Sequence, residues 1–146
     1  MGRQNWKIGL LGIWLVCSGL GGYAQVHEVA DTAFAFAART GRPVLLVFAG
    51  TDWCQPCMRF EREVLADSVF QAYADTRLVI LRAAFPQRTR LPKQLQTQND
   101  ALAARYNPHG YFPHLVILGP DQAIRAVIPY ERQTAEAFIR QVTPWL

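Results

Sequence analysis

Apolar residues are grouped along this chain in two ways, as short uninterrupted runs and as residues that recur at helical spacing. The runs at 44–50 and 77–85 predict strands that are buried on both faces. Two further runs, 114–119 and 123–128, are joined through Gly-Pro-Asp-Gln and predict a β-hairpin. The pattern therefore predicts two buried strands followed by a hairpin.

Helical spacing is seen in the segments around these strands. From Val26 to Ala37 the apolar residues predict a helix that ends near Gly41. Strands that alternate with helices and finish in a hairpin predict an α/β fold, in which a central mixed four-stranded sheet is flanked by helices on both faces. Further helices are predicted at 58–66, at 67–74 with Asp67 as its cap, at 94–106 and at 134–142.

The first 24 residues have the order of a secretory signal peptide. Arg3 and Lys7 precede an apolar run of nine residues, and Gly22 and Ala24 occupy the −3 and −1 positions of a cleavage site. The run is too short to span a bilayer as a helix, although a retained membrane anchor is the alternative. We therefore expect a signal peptide at 1–24, a domain at 25–146, and a periplasmic or secreted protein without membrane insertion after the signal is removed.

Cys17 raises a second possibility, because a cysteine at the end of an apolar run can carry the lipid of a bacterial lipoprotein. That signal prefers a small residue just before the cysteine, and Val16 argues against it. Otherwise Cys17 leaves with the signal, and the mature chain holds two cysteines.

Removal of the predicted signal peptide also changes the net charge of the chain. The whole chain has 15 basic and 11 acidic residues. Losing Arg3 and Lys7 leaves 13 basic residues, so the net charge falls from +4 to +2. The basic character of the whole chain thus gives no reason to expect a nucleic acid as a partner. The five basic residues between Asp75 and Asp100 predict a solvated face rather than a docking patch; they are Arg77, Arg82, Arg88, Arg90 and Lys93.

Cys54 and Cys57 lie where the first buried strand gives way to a helix. The positive end of a helix stabilises a thiolate, and cysteines at this position have pKa values lowered to about 3.5–7.5. Cys57 lies on the same helical face and can attack a mixed disulfide at Cys54. Pro56 fits the first turn, where its missing N–H costs little. We predict a nucleophile followed by a resolving thiol, because a static disulfide across so short a loop would stabilise the fold little.

A metal site is the alternative chemistry for the two cysteines. With His109 and His114 they would make an allowed tetrahedral set, so a copper- or zinc-binding module is a second hypothesis. A third is an interaction module in which the pair is incidental. Met58 stands where a haem-attachment motif would have histidine, no nucleotide or flavin motif is present, and we predict no cofactor.

The segment WCQPC, the apolar strand before it and the later Phe112-Pro113 together resemble the thioredoxin-like family. The resemblance covers nearly all of residues 26–146. It is closest to exported bacterial members and to the periplasmic C-terminal domain of transmembrane thiol reductant conductors. It implies a thioredoxin-like fold and a thiol:disulfide oxidoreductase, with Cys54 as a partly exposed attacking thiolate and Cys57 as a shielded resolving thiol.

The resemblance also implies a docking edge for substrates. Trp53 matches the flanking aromatic residue, and Pro113 matches the cis-proline that faces the disulfide, with Phe112 before it. Tyr111 and Phe112 are expected to form an apolar rim near Trp53, one of them packed.

Two positions depart from the family pattern and concern the proton chemistry. Phe48 stands six residues before Cys54, where thioredoxin has a buried acid. Asp52 is a candidate modulator of the thiolate and is expected nearer solvent, and Glu61 or Glu63 could replace the acid through water if turned inward. His114 follows the proline, and either its imidazolium favours the thiolate or it is tied to backbone at a strand start.

Gln55 favours the direction of reduction, because it lacks the charge of the histidine that strong oxidants of this fold carry between their cysteines. The expected partners are cysteine-containing exported proteins and an upstream membrane or soluble thiol donor.

Overall fold

The computed structural model describes residues 22–146. Cys17 and the predicted signal segment up to residue 21 lie outside the described residues. Among the described residues, no helix is long and apolar enough to cross a membrane.

Five strands form one mixed sheet in the order β1-β3-β2-β4-β5. Strands β1, β3 and β2 run parallel, β4 is antiparallel to β2, and β5 is antiparallel to β4. The predicted α/β architecture is confirmed, and the sheet has one short strand more than expected. The strands are β1 Val26–His27, β2 Val44–Ala49, β3 Val79–Ala84, β4 His114–Leu118 and β5 Ile124–Ile128.

Helices cover both faces of this sheet. Helices α2, α3 and α5 contribute to one buried cluster, and α1 and α4 contribute to the other. A π-helical segment, Glu61–Leu65, continues α2, and a 3-10 turn follows α5. The helices are α1 Ala30–Thr40, α2 Gln55–Phe60, α3 Ser68–Arg77, α4 Lys93–Tyr106 and α5 Ala135–Val142.

The N-terminal boundary of the first helix was predicted wrongly. Val26 and His27 form a strand and pair in parallel with Ile80 and Leu81, so α1 begins only at Ala30. The edge of β3 opposite β2 offers backbone hydrogen-bond partners to this segment, and a periodicity argument cannot anticipate them. The predicted end is confirmed, since Gly41 closes the helix in the left-handed region at φ 70°.

The boundary between α3 and β3 also differs from the prediction. The helix runs on to Arg77, and the strand begins at Val79 rather than at residue 77. The predicted cap is confirmed, because Asp67 Oδ1 accepts hydrogen bonds from the backbone N–H groups of Val69 at 2.8 Å and Phe70 at 3.2 Å.

Strand β2 is buried on both faces, as predicted. Leu45, Val47 and Ala49 belong to the cluster that contains the two cysteines. Leu46 and Phe48 belong to the cluster on the opposite face. This alternation follows from the two-residue period of a strand, and it decides which β2 side chains lie behind the cysteine pair.

Candidate functional site

Cys54 and Cys57 form a disulfide at the junction of β2 and α2, with their Cα atoms 5.3 Å apart. Cys54 is the N-cap of α2, and its Sγ accepts a hydrogen bond from the backbone N–H of Cys57 at 3.3 Å. The predicted helix start near Cys54 and the position of Pro56 in the first turn are confirmed. A sulfur at this position lies among backbone N–H groups that have no partner within the helix.

Both cysteines are shielded from solvent. Cys54 is 5% exposed and Cys57 is 3% exposed, so the expectation that Cys54 is partly exposed is wrong for the disulfide form. Trp53 and Phe112 pack against the buried cluster that includes both residues. Partial exposure of Cys54 was implied by the family resemblance, which does not specify how Trp53 and Phe112 pack in this chain.

Trp53 is fixed from two sides. Its indole Nε1 donates a hydrogen bond to the carbonyl of Phe85 at 2.7 Å. Its ring meets Phe112 edge to face, with centroids 5.4 Å apart. Gly50 permits this placement, because a Cβ there would overlap the indole ring. The glycine at the end of β2 is therefore required by the close approach of the side chain beside the disulfide.

The Phe112–Pro113 peptide bond is cis. Phe112 packs between Trp53 and Phe85, and Tyr111 is 61% exposed. The expectation that one of the two aromatic residues packs is thus confirmed, and the packed one is Phe112.

Asn107 holds the loop before the Phe112–Pro113 bond, and this role was not predicted from the sequence. Its Nδ2 donates to the Tyr111 carbonyl at 2.8 Å, and its Oδ1 accepts from the Tyr111 N–H at 3.0 Å. Asn107 is only 3% exposed. A polar residue at the end of a helix in the segment NPHGYFP was the available signal.

Asp52 binds the loop that follows β3. Its carboxylate accepts hydrogen bonds from three backbone N–H groups, those of Gln87 at 2.8 Å, Arg88 at 2.8 Å and Thr89 at 3.1 Å. These bonds, led by the one from Gln87, lower the pKa of Asp52 below its ordinary value. Asp52 and Trp53 thereby attach the cysteine loop to the loop after β3. A pocket of about 680 Å³ lies between that loop, Trp53, Phe112 and α4.

His114 lies at the start of β4 and is tied to the backbone. Its Nε2 is 3.1 Å from the carbonyl oxygen of Tyr106, and its ring packs on Phe48 with centroids 5.9 Å apart. Burial lowers the pKa of His114 more than the hydrogen bond with Tyr106 raises it. Of the two interpretations of His114, this geometry matches the residue tied to backbone at a strand start.

The metal hypothesis gains no support from this arrangement. His109 is exposed, and the Nε2 of His114 already contacts the Tyr106 carbonyl. Within residues 22–146, no group of three or more His, Cys, Asp and Glu side chains could hold a metal ion.

Counting six residues back from Cys54 leads to Phe48, but a different residue lies behind the cysteines in the structure. Phe48 lies in the cluster on the opposite face of the sheet, whereas Val47 lies in the cluster of Cys54 and Cys57. Val47 pairs in register with Arg82 of β3. One of the basic residues predicted to form a solvated face is therefore placed under the cysteine pair instead.

Arg82 forms ion pairs with two acids. Its Nη2 lies 2.6 Å from Glu28 Oε1, and its Nη1 lies 3.2 Å from Glu61 Oε1. Glu63 instead pairs with Arg62 at 2.9 Å and with Arg59 at 4.0 Å. Glu61 and Glu63 were the two candidates to replace the buried acid of thioredoxin. Glu61 pairs with Arg82, and Glu63 does not. Arg82 and Glu28 were both missed as candidate site residues.

A mixed sheet that carries a cysteine pair at a strand-to-helix junction, near a cis-proline, defines the thioredoxin-like class. Residues 25–120 match the family model described as thioredoxin-like, and the chain belongs to that family.

One curated relative and two solved structures are similar to this chain. Disulfide bond reductase DsbH of Chlamydia pneumoniae is 30% identical over 101 residues, which are 69% of this chain and 60% of that protein. The chain thus spans less than two thirds of that relative. The solved structure of a DsbH oxidoreductase has a TM-score of 0.79 at 23% identity and covers 100% of this chain and 94% of its own. The oxidised C-terminal domain of Neisseria meningitidis DsbD has a TM-score of 0.56 at 17% identity and covers 80% of this chain and 91% of its own. The two structures support the thioredoxin-like fold.

Proposed function

We propose that this protein is an exported thiol:disulfide oxidoreductase that reduces disulfides of other exported proteins through the WCQPC pair. The observation that carries the proposal is the disulfide at the start of α2, in which Cys54 Sγ accepts the N–H of Cys57. A thiolate at Cys54 would keep that hydrogen bond, and charge-assisted bonds of this kind are stronger than neutral ones. The anion is the form that attacks a disulfide.

The reaction proceeds in two exchanges. The Cys54 thiolate attacks one sulfur of the substrate disulfide, an Sγ–S bond forms, and the other substrate sulfur leaves as a thiolate. Cys57, once deprotonated, attacks Cys54 Sγ and expels the second substrate thiolate. The substrate gains two electrons, and the pair becomes the Cys54–Cys57 disulfide. A thiol donor of the same compartment must then reduce the pair.

Trp53, Phe112 and Pro113 form the docking edge in this proposal. The two rings pack on each other beside the buried disulfide, so a partner chain must contact them to bring its sulfur to Cys54. Asp52 acts on this edge indirectly, through the loop that it binds.

Three observations support the reduction of substrates, rather than their oxidation, and the export of the protein. Gln55 supplies no charge that would favour the reduced thiolate and make the protein a strong oxidant. The relative from Chlamydia pneumoniae is a disulfide bond reductase. The proposed signal peptide at 1–24 precedes the family match, which begins at residue 25.

The test is the equilibrium redox potential of the purified protein in dithiothreitol and glutathione buffers, in a Cys17→Ser background with Cys54→Ser as the control. A reversible two-electron couple near the thioredoxin value of about −270 mV supports a reductant. A couple near about −120 mV would reverse the direction. The absence of any reversible couple would overturn the oxidoreductase.

A further inference from the structure

The end of the sheet away from the disulfide is where the N-terminal segment joins the domain. Val44 begins β2 and pairs with Val79 and Leu118, whereas the disulfide follows the other end of β2. A Cβ placed on Gly22 would lie 2.8 Å from a carboxylate oxygen of Asp75, so the chain enters the domain beside the last turns of α3. The residues before Gly22 are therefore joined to the domain at the end opposite the reactive sulfurs.

Arginines gather at this end of the domain. Helices α1 and α3 lead into the first residues of β2 and β3, and they carry Arg39 and Arg77 in their last turns. Arg42 follows α1, Arg140 lies in the last turn of α5, and Arg125 lies near the start of β5. A cation is favourable at the C-terminus of a helix, because the carbonyl end of the helix is negative. We call Arg39, Arg42, Arg77, Arg125 and Arg140 the basic end of the domain.

The net positive charge of the domain lies at the basic end. The acidic side chains at this end are Asp75, near the end of α3, and Asp121, in the turn between β4 and β5. The rest of residues 22–146 has eight basic and nine acidic residues. Within the described part of the chain, none of the five arginines forms an ion pair. The basic end therefore presents positive charge to solvent, and the part of the domain around the cysteines is nearly neutral.

Aromatic rings, rather than carboxylates, lie beside three of these arginines. Phe36 has the guanidinium carbon of Arg39 at 5.2 Å from its ring centre and that of Arg42 at 5.6 Å. The guanidinium carbon of Arg77 lies 5.1 Å from the ring centre of Tyr73. A contact of this kind attracts the cation to the face of the ring and leaves its charge in place. The three arginines are thus positioned and remain able to attract an anion.

Two exposed aromatic side chains flank the basic end. Tyr23 is 79% exposed and follows Gly22 directly. Trp145 is 44% exposed, and its carbonyl accepts a hydrogen bond from Nη1 of Arg125 at 3.0 Å. Tyrosine and tryptophan are enriched at the interface between a membrane and water, because each has an apolar ring and a polar group. Arginines beside them add attraction for anionic headgroups.

We propose that the basic end binds the surface of an anionic lipid membrane, without insertion of the domain, and holds the Cys54–Cys57 pair on the side that faces away from the membrane. The charge of this end is complementary to such a surface. An acidic protein would match the charge as well, but the exposed Tyr23 and Trp145 and the apolar run in the sequence before Gly22 favour lipid. The inference goes beyond the proposed reaction and does not depend on it.

Co-sedimentation with vesicles tests this inference. The protein is isolated in the form that the producing cell exports, and its N-terminus is determined by mass spectrometry. It is mixed with vesicles of phosphatidylcholine, with or without phosphatidylglycerol, and the bound fraction gives the affinity. Wild type is expected to bind the anionic vesicles at least about tenfold more tightly, since each basic residue near such a surface contributes about fivefold. The difference should shrink as salt is added, because salt screens exposed charges.

Two double variants with the same net charge locate the binding surface. Arg39→Gln with Arg77→Gln is expected to weaken binding to the anionic vesicles by about tenfold or more, because both side chains are exposed at the basic end. The matched control is Arg88→Gln with Arg90→Gln, which removes two exposed charges from the loop after β3, at the other end of the sheet. The control should stay within about twofold of wild type.

A pair of aromatic variants tests the same surface without a change of charge. Trp145→Ala should weaken binding to the anionic vesicles by about threefold or more, since apolar contact adds to the electrostatic attraction. Tyr111→Ala removes an exposed ring from the loop before the cis-proline and should leave binding within about twofold of wild type.

The orientation of the bound domain has a separate readout. Dithiothreitol should reduce the Cys54–Cys57 disulfide of vesicle-bound protein at a rate within about twofold of the rate for free protein, because the pair lies at the far end of β2. A disulfide that becomes much slower to reduce on the vesicles would overturn the proposed orientation.

Equal binding to vesicles with and without phosphatidylglycerol, or no binding to either, would overturn the inference. Equal losses in the two arginine double variants would do so as well, because they would reflect net charge alone. Wild type that binds polyaspartate but not the vesicles would indicate an acidic protein as the partner of the basic end and would also contradict the inference. The redox potential of Arg39→Gln with Arg77→Gln is expected to equal that of wild type, so a failure of this inference is distinct from a failure of the proposed function.

Discussion

Trp53 and Phe112 meet edge to face, with ring centroids 5.4 Å apart, and so join the loop before Cys54 to the loop before the cis-proline. The two loops are far apart in the sequence, and this contact is one of those that bring them together beside the disulfide. Trp53 is additionally held by Phe85, and Phe112 packs on that same residue. The proposed docking edge is thus a small aromatic assembly rather than a single exposed side chain.

Phe112→Ala is expected to weaken the use of protein substrates more than the use of a small disulfide. Loss of the ring removes docking surface, and we expect kcat/KM for a protein disulfide to fall by about tenfold, equivalent to about 1.4 kcal/mol. Steady-state rates with a protein and with oxidised glutathione, compared in the same variant, measure this. Tyr111→Ala is the matched control, because Tyr111 is exposed and does not pack on Trp53. Equal losses with both substrates would argue against a docking role.

Asp52→Asn is expected to loosen the loop that contains Gln87, since an amide accepts the three backbone N–H groups less strongly than a carboxylate. The pKa of Asp52 is lowered in the folded protein, mainly by the Gln87 N–H. Its stabilisation is therefore complete above the unfolded pKa of about 3.9 and is lost as the pH falls through the lower folded value.

Thermal melts of wild type and Asp52→Asn at a series of pH values test this. The two melting temperatures should differ at neutral pH and approach each other in acid. A difference that stays constant with pH would contradict the expected role of the ionised carboxylate.

His114→Gln is expected to leave the redox potential unchanged, because the ring lies against Phe48 on the far side of the sheet and the pKa of His114 is lowered, chiefly by burial. A folded pKa below the unfolded value of about 6.5 means that this residue favours folding above that pH and does so less as the pH falls. Chemical unfolding at pH values from neutral to mildly acidic should show that the free energy of unfolding of the wild type falls with pH. The fall should be smaller in the variant. A large shift of the redox potential would instead indicate that the imidazolium acts on the thiolate.

Asn107→Ala is expected to destabilise the protein by about 1–3 kcal/mol, since it removes two hydrogen bonds to the Tyr111 backbone, each worth about 0.5–1.5 kcal/mol. Its functional effect should follow that of Phe112→Ala, because the loop that presents Phe112 is no longer held. Equilibrium unfolding and protein-disulfide turnover measure the two effects. Asn107→Asp keeps the acceptor for the Tyr111 N–H and should retain part of both.

Much of the fold is encoded locally and could be predicted. Strand β2 is an uninterrupted apolar run, and Asp67 is followed by a helix that it caps. Pro56 fits the first turn of the helix that Cys54 caps. Apolar spacing, caps and the chemistry of proline act within a few residues, so a single sequence is enough to locate them. The cysteine pair and its place at a helix start belong to this group.

The features of the fold that were not predicted depended on which segments meet in three dimensions. The pairing of Val26 with Ile80 turned part of a predicted helix into a strand, because strand pairing is set by a partner far along the chain. The face on which Phe48 lies depended on the register of β2, since a shift of one residue moves a side chain to the other side of a sheet.

Arg82 shows the same limit at the site itself. In the sequence it is one basic residue in a run of five. In the structure it lines a cavity together with Cys57 and pairs with two acids from other segments. The sequence by itself determined where the two thiols are and how the chain alternates around them. Only the tertiary structure decided which charges lie behind them, because long-range packing sets the neighbours of a buried group and local pattern does not.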